Sequence, residues 1–231
     1  MISDIYFGLW YNDFNNNVIE VEEMPIKDVF KEKWQYMTGS IYIPKELLEA
    51  KGDLLVHISD TPLMSYDAIS HLLKRLNPKW IIHTGDLVDN IKLELSFSKI
   101  DLYRQHIAKL TRMLEMTNSE VYISLGNHDH YDSIMALNPP FHICKKADVL
   151  TIGTFAIAYA HYIELLKAYD ADIYLFGHNK YHKTEVSTGG QLYLNGLEQI
   201  TVMDITNKQY FFLRYPIGTD DSRLLRMRIG I

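Results

Sequence analysis

The sequence predicts an α/β fold built on buried strands, and three observations carry that prediction. Short apolar runs alternate with segments whose apolar residues recur at helical spacing. Those runs end abruptly in Asp, Asn or His rather than tapering into loops. The composition, 47% hydrophobic and 23% charged over 231 residues, is that of a chain able to bury a substantial core, which sets aside disordered and fibrous classes.

The elements follow in order. Residues 5–10 and 18–23 flank Asn15, Asn16 and Asn17, a turn-forming cluster, and read as a β-hairpin. Helices are expected over 27–36 and 44–50, the second with Pro44 in its first turn, where a missing N–H costs nothing. From Asp53 one pattern repeats: LLVHISD to Asp60, WIIHTGD to Asp86, VYISLGNHD to Asp129, FAIAYAH to His161 and IYLFGH to His178. Between the runs, Ile69, Leu72, Leu73 and Leu76 keep helical spacing, as do Tyr103, Ile107, Leu110 and Leu114. Alternating apolar strands and helices imply a sheet covered by helices, with ligands bound at the carboxyl ends of the strands. Beyond His178 the chain turns β-rich at 191–194, 200–205 and 209–215, with turns at Asn195-Gly196 and Asn207-Lys208. The stretch 216–231, basic at Arg223, Arg226 and Arg228, is given no element. The expected organisation is an extension, residues 1–50, packed on a main domain, residues 51–231.

A formal charge of −6 without any run of Lys or Arg argues against a general nucleic-acid binder. It leaves room for a small phosphate-bearing substrate, because a bound metal reverses the local field. The one cysteine, Cys144, rules out an internal disulfide and suits a reducing compartment. No signal-like start and no stretch of about 20 apolar residues is present, so a cytoplasmic protein that spans no membrane is expected.

Asp, Asn and His are hard-to-borderline ligands, suited to Mn²⁺, Fe or Zn²⁺. A two-metal centre needs a bridging carboxylate with terminal O or N donors on each side. Asp86 after Gly85, with Asn127 and His128 after Gly126, offers such donors where the backbone can approach closely. Gly85-Asp86, Gly126-Asn127-His128-Asp129 and Gly177-His178, in that order and spacing, resemble the calcineurin-like metallophosphoesterases, whose motifs read DxH, GDxxx, GNHD/E, a lone His and GHxH. The match runs from about Asp53 to Gly196, and the spacing of His161 and His178 is more similar to the small bacterial phosphodiesterases and the related retromer subunit.

The resemblance implies a four-layer sandwich of two mixed β-sheets flanked by helices, here with the N-terminal hairpin-and-helix extension. It implies hydrolysis of a phosphate mono- or diester with one or two divalent ions. Carried over by residue, Asp60 binds the first metal, Asp86 bridges, and Asn127, His161 and His178 complete the second. His128, held by Asp129, contacts the phosphoryl oxygen or protonates the leaving group.

Two positions depart from the family pattern. Pro62 stands where DxH needs its histidine, and Lys180 where GHxH needs its second. Both losses strike the first metal, and the Lys180 ammonium is expected to substitute for that ion beside Asp60 and Asp86. His57 and His83, three residues before motif aspartates, are read as structural, turned to the other face by strand alternation. His182 shares a face with Lys180 in an extended chain and is a weaker candidate ligand. The rival to a weakened hydrolase is an impaired binding module whose protein partner docks on residues 1–50. A membrane partner is excluded by composition, and nucleic acid ranks low.

Overall fold

The computed structural model describes residues 10–11 and 25–224. The hairpin expected over 5–10 and 18–23 lies outside those residues except for Trp10, which with Tyr11 forms β1 (Trp10–Tyr11). Helix α1 (Ile26–Met37) confirms the segment expected there, while α2 (Lys45–Leu48) begins one residue after Pro44. Pro44 caps it from extended backbone, φ −60° and ψ 153°, instead of joining the first turn.

Three of the apolar runs become parallel neighbours, β2 (Leu54–Ile58), β3 (Trp80–His83) and β4 (Glu120–Ser124), and β5 (His142–Cys144), a short strand that no apolar run announced, joins them in parallel. The late strands β11 (Ile200–Asp204) and β12 (Gln209–Leu213) extend this sheet antiparallel, giving the order β1-β12-β11-β2-β3-β4-β5 among the described residues. A second mixed sheet runs β6-β7-β8-β10-β9, from β6 (Ala147–Ile152), β7 (Phe155–Ala160), β8 (Ile173–Phe176), β9 (Glu185–Val186) and β10 (Leu192–Asn195). Strand β6 escaped the sequence reading because it is an edge strand with mostly solvated side chains, which dilutes its apolar signal.

The two sheets face each other. Leu55, Ile82, Met203 and Tyr210 meet Ile157, Ile173, Leu175 and Leu194 in one inter-sheet core. Alternation along β2 sends Val56 and Ile58 the other way, into a core shared with α3 (Tyr66–Leu76) and α4 (Ile100–Glu115). The helical spacing seen in sequence supplies that contact: Ile69, Leu72 and Leu73 from α3 and Tyr103, Ile107, Leu110 and Leu114 from α4 are all buried. Each such side chain contributes about 1.5–3 kcal/mol of transfer free energy. Helix α3 stops at Asn77, whose left-handed φ of 44° lets its N–H reach Leu73 O. On the outer face of the second sheet, α6 (Ile163–Leu166), which follows the short α5 (Tyr131–Met135), packs Ile163 and Leu166 against Ala158 and Phe176. Helix, sheet, sheet and helix make the four layers expected.

Ile41 and Leu47 join the α3/α4 core, so the residues just before β2 are tied to it. Helix α1, by contrast, leaves Ile26, Phe30, Trp34 and Met37 exposed along one stripe. No described helix is long and apolar enough to cross a membrane.

Candidate metal centre

Strands β2, β3, β4, β7 and β8 deliver their carboxyl ends to one edge of the sandwich, and Asp60, Asp86, Asn127, His161 and His178 follow them there. Three of these residues take left-handed backbone without being glycine: Asp60 at φ 50°, Asp86 at φ 53° and His178 at φ 58°. Such conformations cost on the order of 1–3 kcal/mol each and persist only where surroundings hold them. The holding groups are identifiable. Asp60 N donates to Gly85 O at 2.9 Å, and Asp86 N to Asp129 Oδ2 at 2.8 Å. His178 N donates to Asp60 Oδ2 at 3.2 Å.

Gly85 permits a close approach of backbone to backbone. A Cβ there would lie 2.6 Å from Gly126 N and 2.8 Å from His161 Nδ1, and its own φ is 94°. Beneath the loops, two buried histidines brace neighbouring strands. His57 Nε2 lies 3.0 Å from Thr84 Oγ1, and His83 Nε2 lies 2.9 Å from Thr61 Oγ1. Gly85 N donates to His83 Nδ1 at 3.1 Å, which requires that nitrogen to be unprotonated. Burial pushes both imidazoles down to about 3, so they are neutral braces, as strand alternation implied.

The donor geometry calls for a cation. His161 is fully buried, and its Nδ1 lies 2.7 Å from Thr84 O, so in the neutral ring Nδ1–H donates there and Nε2 keeps its lone pair. That lone pair faces Asn127 Oδ1 at 3.2 Å and Asp86 Oδ2 at 3.6 Å. The Asn127 amide is oriented by its other end, since Nδ2 donates to Glu94 Oε2 at 2.6 Å. With that tautomer, His161 Nε2, Asn127 Oδ1 and Asp86 Oδ2 converge on one point. The His178 ring stands 5.0 Å from that of His161, and the ligating atoms of Asp86, His161 and His178 lie within 4.8 Å of one another. One carboxylate, two imidazoles and an amide oxygen fit Mn²⁺, Fe or Zn²⁺.

A second group, Asp86, Asp89 and His128, also gathers its ligating atoms within 4.8 Å. Asp60 joins neither group. Its Oδ2 accepts the Ser59 hydroxyl at 2.6 Å and the His178 N–H at 3.2 Å, so its carboxylate ties the loop after β2 to the loop after β8. His182 joins neither group and is exposed.

Crowded carboxylates dominate the electrostatics. Burial, then repulsion from Asp60, Asp129 and Asp89, holds the Asp86 carboxyl well above the usual range. Burial and Asp60 push Asp89 up to about 7 despite Lys92 beside it. Burial opposes the charge on Asp60 too, but that carboxyl is lowered, with the Arg223 charge and the Ser59 hydroxyl among the groups that favour its ionised form. Burial and then the Lys92 charge depress His128 to about 4, so its ring is neutral.

Two expected roles change. Asp129 does not hold the His128 ring: its carboxylate accepts from Asp86 N, Leu87 N, Gly126 N and the Tyr103 hydroxyl, at 2.8, 2.9, 2.8 and 3.1 Å. It ties two ligand-bearing loops together because their free N–H groups point at one spot. Lys180 does not pair with Asp60 or Asp86 either. It is exposed, and its ammonium lies over the Tyr181 ring, 5.1 Å from the centroid, at the rim of the cleft.

The positive charge comes from residues the sequence reading passed over. Arg223, in the final helix α7 (Thr219–Arg223), is buried and donates to Asp60 O at 2.6 Å, Ser59 O at 3.0 Å and Leu197 O at 2.8 Å. Lys92 pairs with Asp89. Asp89, Lys92 and Glu94 lie in the loop after Gly85-Asp86, outside every motif the sequence offered. Nothing local marks Arg223. Together Asp60, Asp86, Lys92, His128, His178 and Arg223 line a cleft of about 430 Å³.

A family model described as calcineurin-like phosphoesterase matches residues 54–208, and the chain belongs to that family. Similar solved structures include YfcE, a phosphoesterase from E. coli, which is 16% identical, covers 65% of this chain and 88% of its own, and has a TM-score of 0.47. A metallophosphoesterase from Sphaerobacter thermophilus is 12% identical over 76% of this chain and 94% of its own, with a TM-score of 0.40. The protein AQ665 of Aquifex aeolicus, of unknown function, is 15% identical over 62% and 89%, with a TM-score of 0.42. No curated protein matches.

Proposed function

We propose that the chain hydrolyses a phosphate mono- or diester in the cytoplasm, with one well-formed site for Mn²⁺, Fe or Zn²⁺ and a second that is weakened. The observation that carries this reading is the convergence of His161 Nε2, Asn127 Oδ1 and Asp86 Oδ2 on one point. Asp86, Asn127, His161 and His178 would hold the ion, which when bound supplies Lewis acidity toward a phosphoryl oxygen.

The chain's own groups do the rest. His128, neutral and at the wall of the cleft, can donate one N–H to a phosphoryl or leaving-group oxygen. Asp129 fixes the loops carrying Asp86 and Asn127, and Arg223 fixes the loop carrying Asp60. The mixed charges lining the cleft, with Asp60, Asp86 and Asp89 among them, favour a small ester over a nucleic-acid strand.

The test is hydrolysis of bis-p-nitrophenyl phosphate with added Mn²⁺, the Asn127→Ala variant being purified in parallel. Turnover in the native chain and its loss in the variant are expected. Equal rates in both would overturn the reading. A second reading, a binding module with an impaired centre, is favoured by the exposed apolar stripe of α1 at Ile26, Phe30, Trp34 and Met37. It is supported if the native chain turns over no ester while a Trp34→Glu variant loses a partner that the native chain binds.

A further inference from the structure

Beside the His161/His178 group lies a second set of candidate ligands, one of which is already engaged. Asp86, Asp89 and His128 bring ligating atoms within 4.8 Å of one another, and they share Asp86 with the His161/His178 group. An ion in each group would give the bridged pair typical of two-metal centres. One of the three ligands, however, is engaged: Lys92 forms an ion pair with Asp89.

That pair is not a surface salt bridge of little consequence. The Asp89 side chain is 2% exposed and that of Lys92 14%, so the pair is largely withdrawn from water. A buried pair of this kind persists where each partner would be worse off alone. Lys92 follows Asp89 by three residues, so one turn of the loop after β3 supplies both the acid and its counter-ion. The ammonium also faces the rest of the site. It lines the cleft with Asp60, Asp86, His128 and His178.

The neighbouring positions sharpen the point. Pro62 offers no donor, and the Lys180 ammonium stands at the rim over Tyr181. Arg223 also lines the cleft, but its hydrogen bonds to this loop go to the backbone carbonyls of Ser59 and Asp60 and not to a candidate ligand atom. Lys92 is the cation whose contact is with a candidate ligand itself.

We infer that the Lys92 ammonium is a built-in cation that holds Asp89 and keeps a second divalent ion out of the centre. The inference rests on the metal-dependent reading proposed above and specifies how its weakened half is occupied. A lysine supplies a fixed single positive charge with rotatable donors, able to meet a phosphoryl oxygen as a point charge. The centre then works with one exchangeable ion and one that cannot be removed by chelation.

The experiment is metal stoichiometry. Metal-free chain is titrated with Mn²⁺ by isothermal calorimetry, and bound metal per chain is counted by mass spectrometry after gel filtration, with circular dichroism confirming the fold. The native chain should bind one ion, and Lys92→Met, which frees Asp89, should bind two. Lys92→Met combined with Asp89→Asn should return to one, because the third ligand is gone while no buried charge is left unpaired. Should Lys92→Met fail to fold, Lys92→Gln keeps a hydrogen-bond donor for Asp89 without the charge and should also bind two. Two ions in the native chain, or one in every folded variant, overturns the role of Lys92. No ion bound by any of them overturns the metal centre on which it rests.

Discussion

Asp129→Asn is the most informative single change in this molecule. The carboxylate of Asp129 accepts from Asp86 N and Gly126 N through Oδ2, and from Leu87 N and the Tyr103 hydroxyl through Oδ1. An amide in the same place keeps one oxygen and turns two N–H donors toward whichever pair it faces. If the nitrogen replaces Oδ1, Tyr103 can rotate and accept, but Leu87 N–H meets another donor and is left unsatisfied, at about 1–3 kcal/mol. The two bonds at the remaining oxygen lose their charge assistance, roughly 1 kcal/mol each. Against this stands relief of repulsion, because Asp129 helps to raise the Asp86 carboxyl and its own ionisation is opposed by burial. The balance is a loss of about 2–4 kcal/mol in unfolding free energy. Urea denaturation at pH 7.5 measures it, and Mn²⁺ affinity should fall in the same variant because the Asp86 and Asn127 loops are no longer tied. A variant within about 0.5 kcal/mol of the native chain and unchanged in Mn²⁺ affinity would refute the argument.

The pH dependence of stability should carry the mark of the two buried histidines. His57 and His83 sit near 3 in the folded chain and near 6.5 when unfolded, so below pH 6.5 the unfolded state takes up protons that the folded state refuses. Stability from these groups is complete above that value and drains as pH falls toward 3, by roughly 2 kcal/mol per histidine between neutrality and pH 5. Urea titrations at pH 7.5 and 5.0 should therefore show a larger acid loss in the native chain than in a His57→Gln, His83→Gln double variant; equal losses would contradict the assignment. Gly85→Ala should lower stability by about 2–4 kcal/mol, combining positive-φ strain with overpacking. Its Cβ would lie 2.6 Å from Gly126 N and 2.8 Å from His161 Nδ1. Thermal denaturation checks it, and an unchanged midpoint would show that the loops part easily.

Much of this molecule is local. The runs LLVHI, WIIH, FAIAYA and IYLF are strands because continuous apolar sequence between polar ends can be buried on both faces. Their abrupt ends in Asp60, Asp86, His161 and His178 placed the site before any fold was known, since a parallel sheet collects such ends on one edge. The structural roles of His57 and His83 were legible from alternation along the same strands, and burial then keeps both neutral. Periodicity likewise located α3 and α4 and the residues they bury.

What lies between the loops was not local. Whether Asp129 reaches its neighbour His128 or the backbone N–H of residues 42 and 43 positions away depends on which donors the loop after β3 leaves free. Arg223 reaches Asp60 across 163 residues of sequence, and no spacing announces a contact of that range. Lys180 had the right position in a motif but points to solvent, while Lys92, outside any motif, holds the buried acid. The sequence by itself determined which strands form, which faces they bury and which side chains stand at the edge where chemistry happens. Only the tertiary structure decided which charge neutralises which, because backbone periodicity is a property of neighbours along the chain and electrostatic pairing a property of neighbours in space.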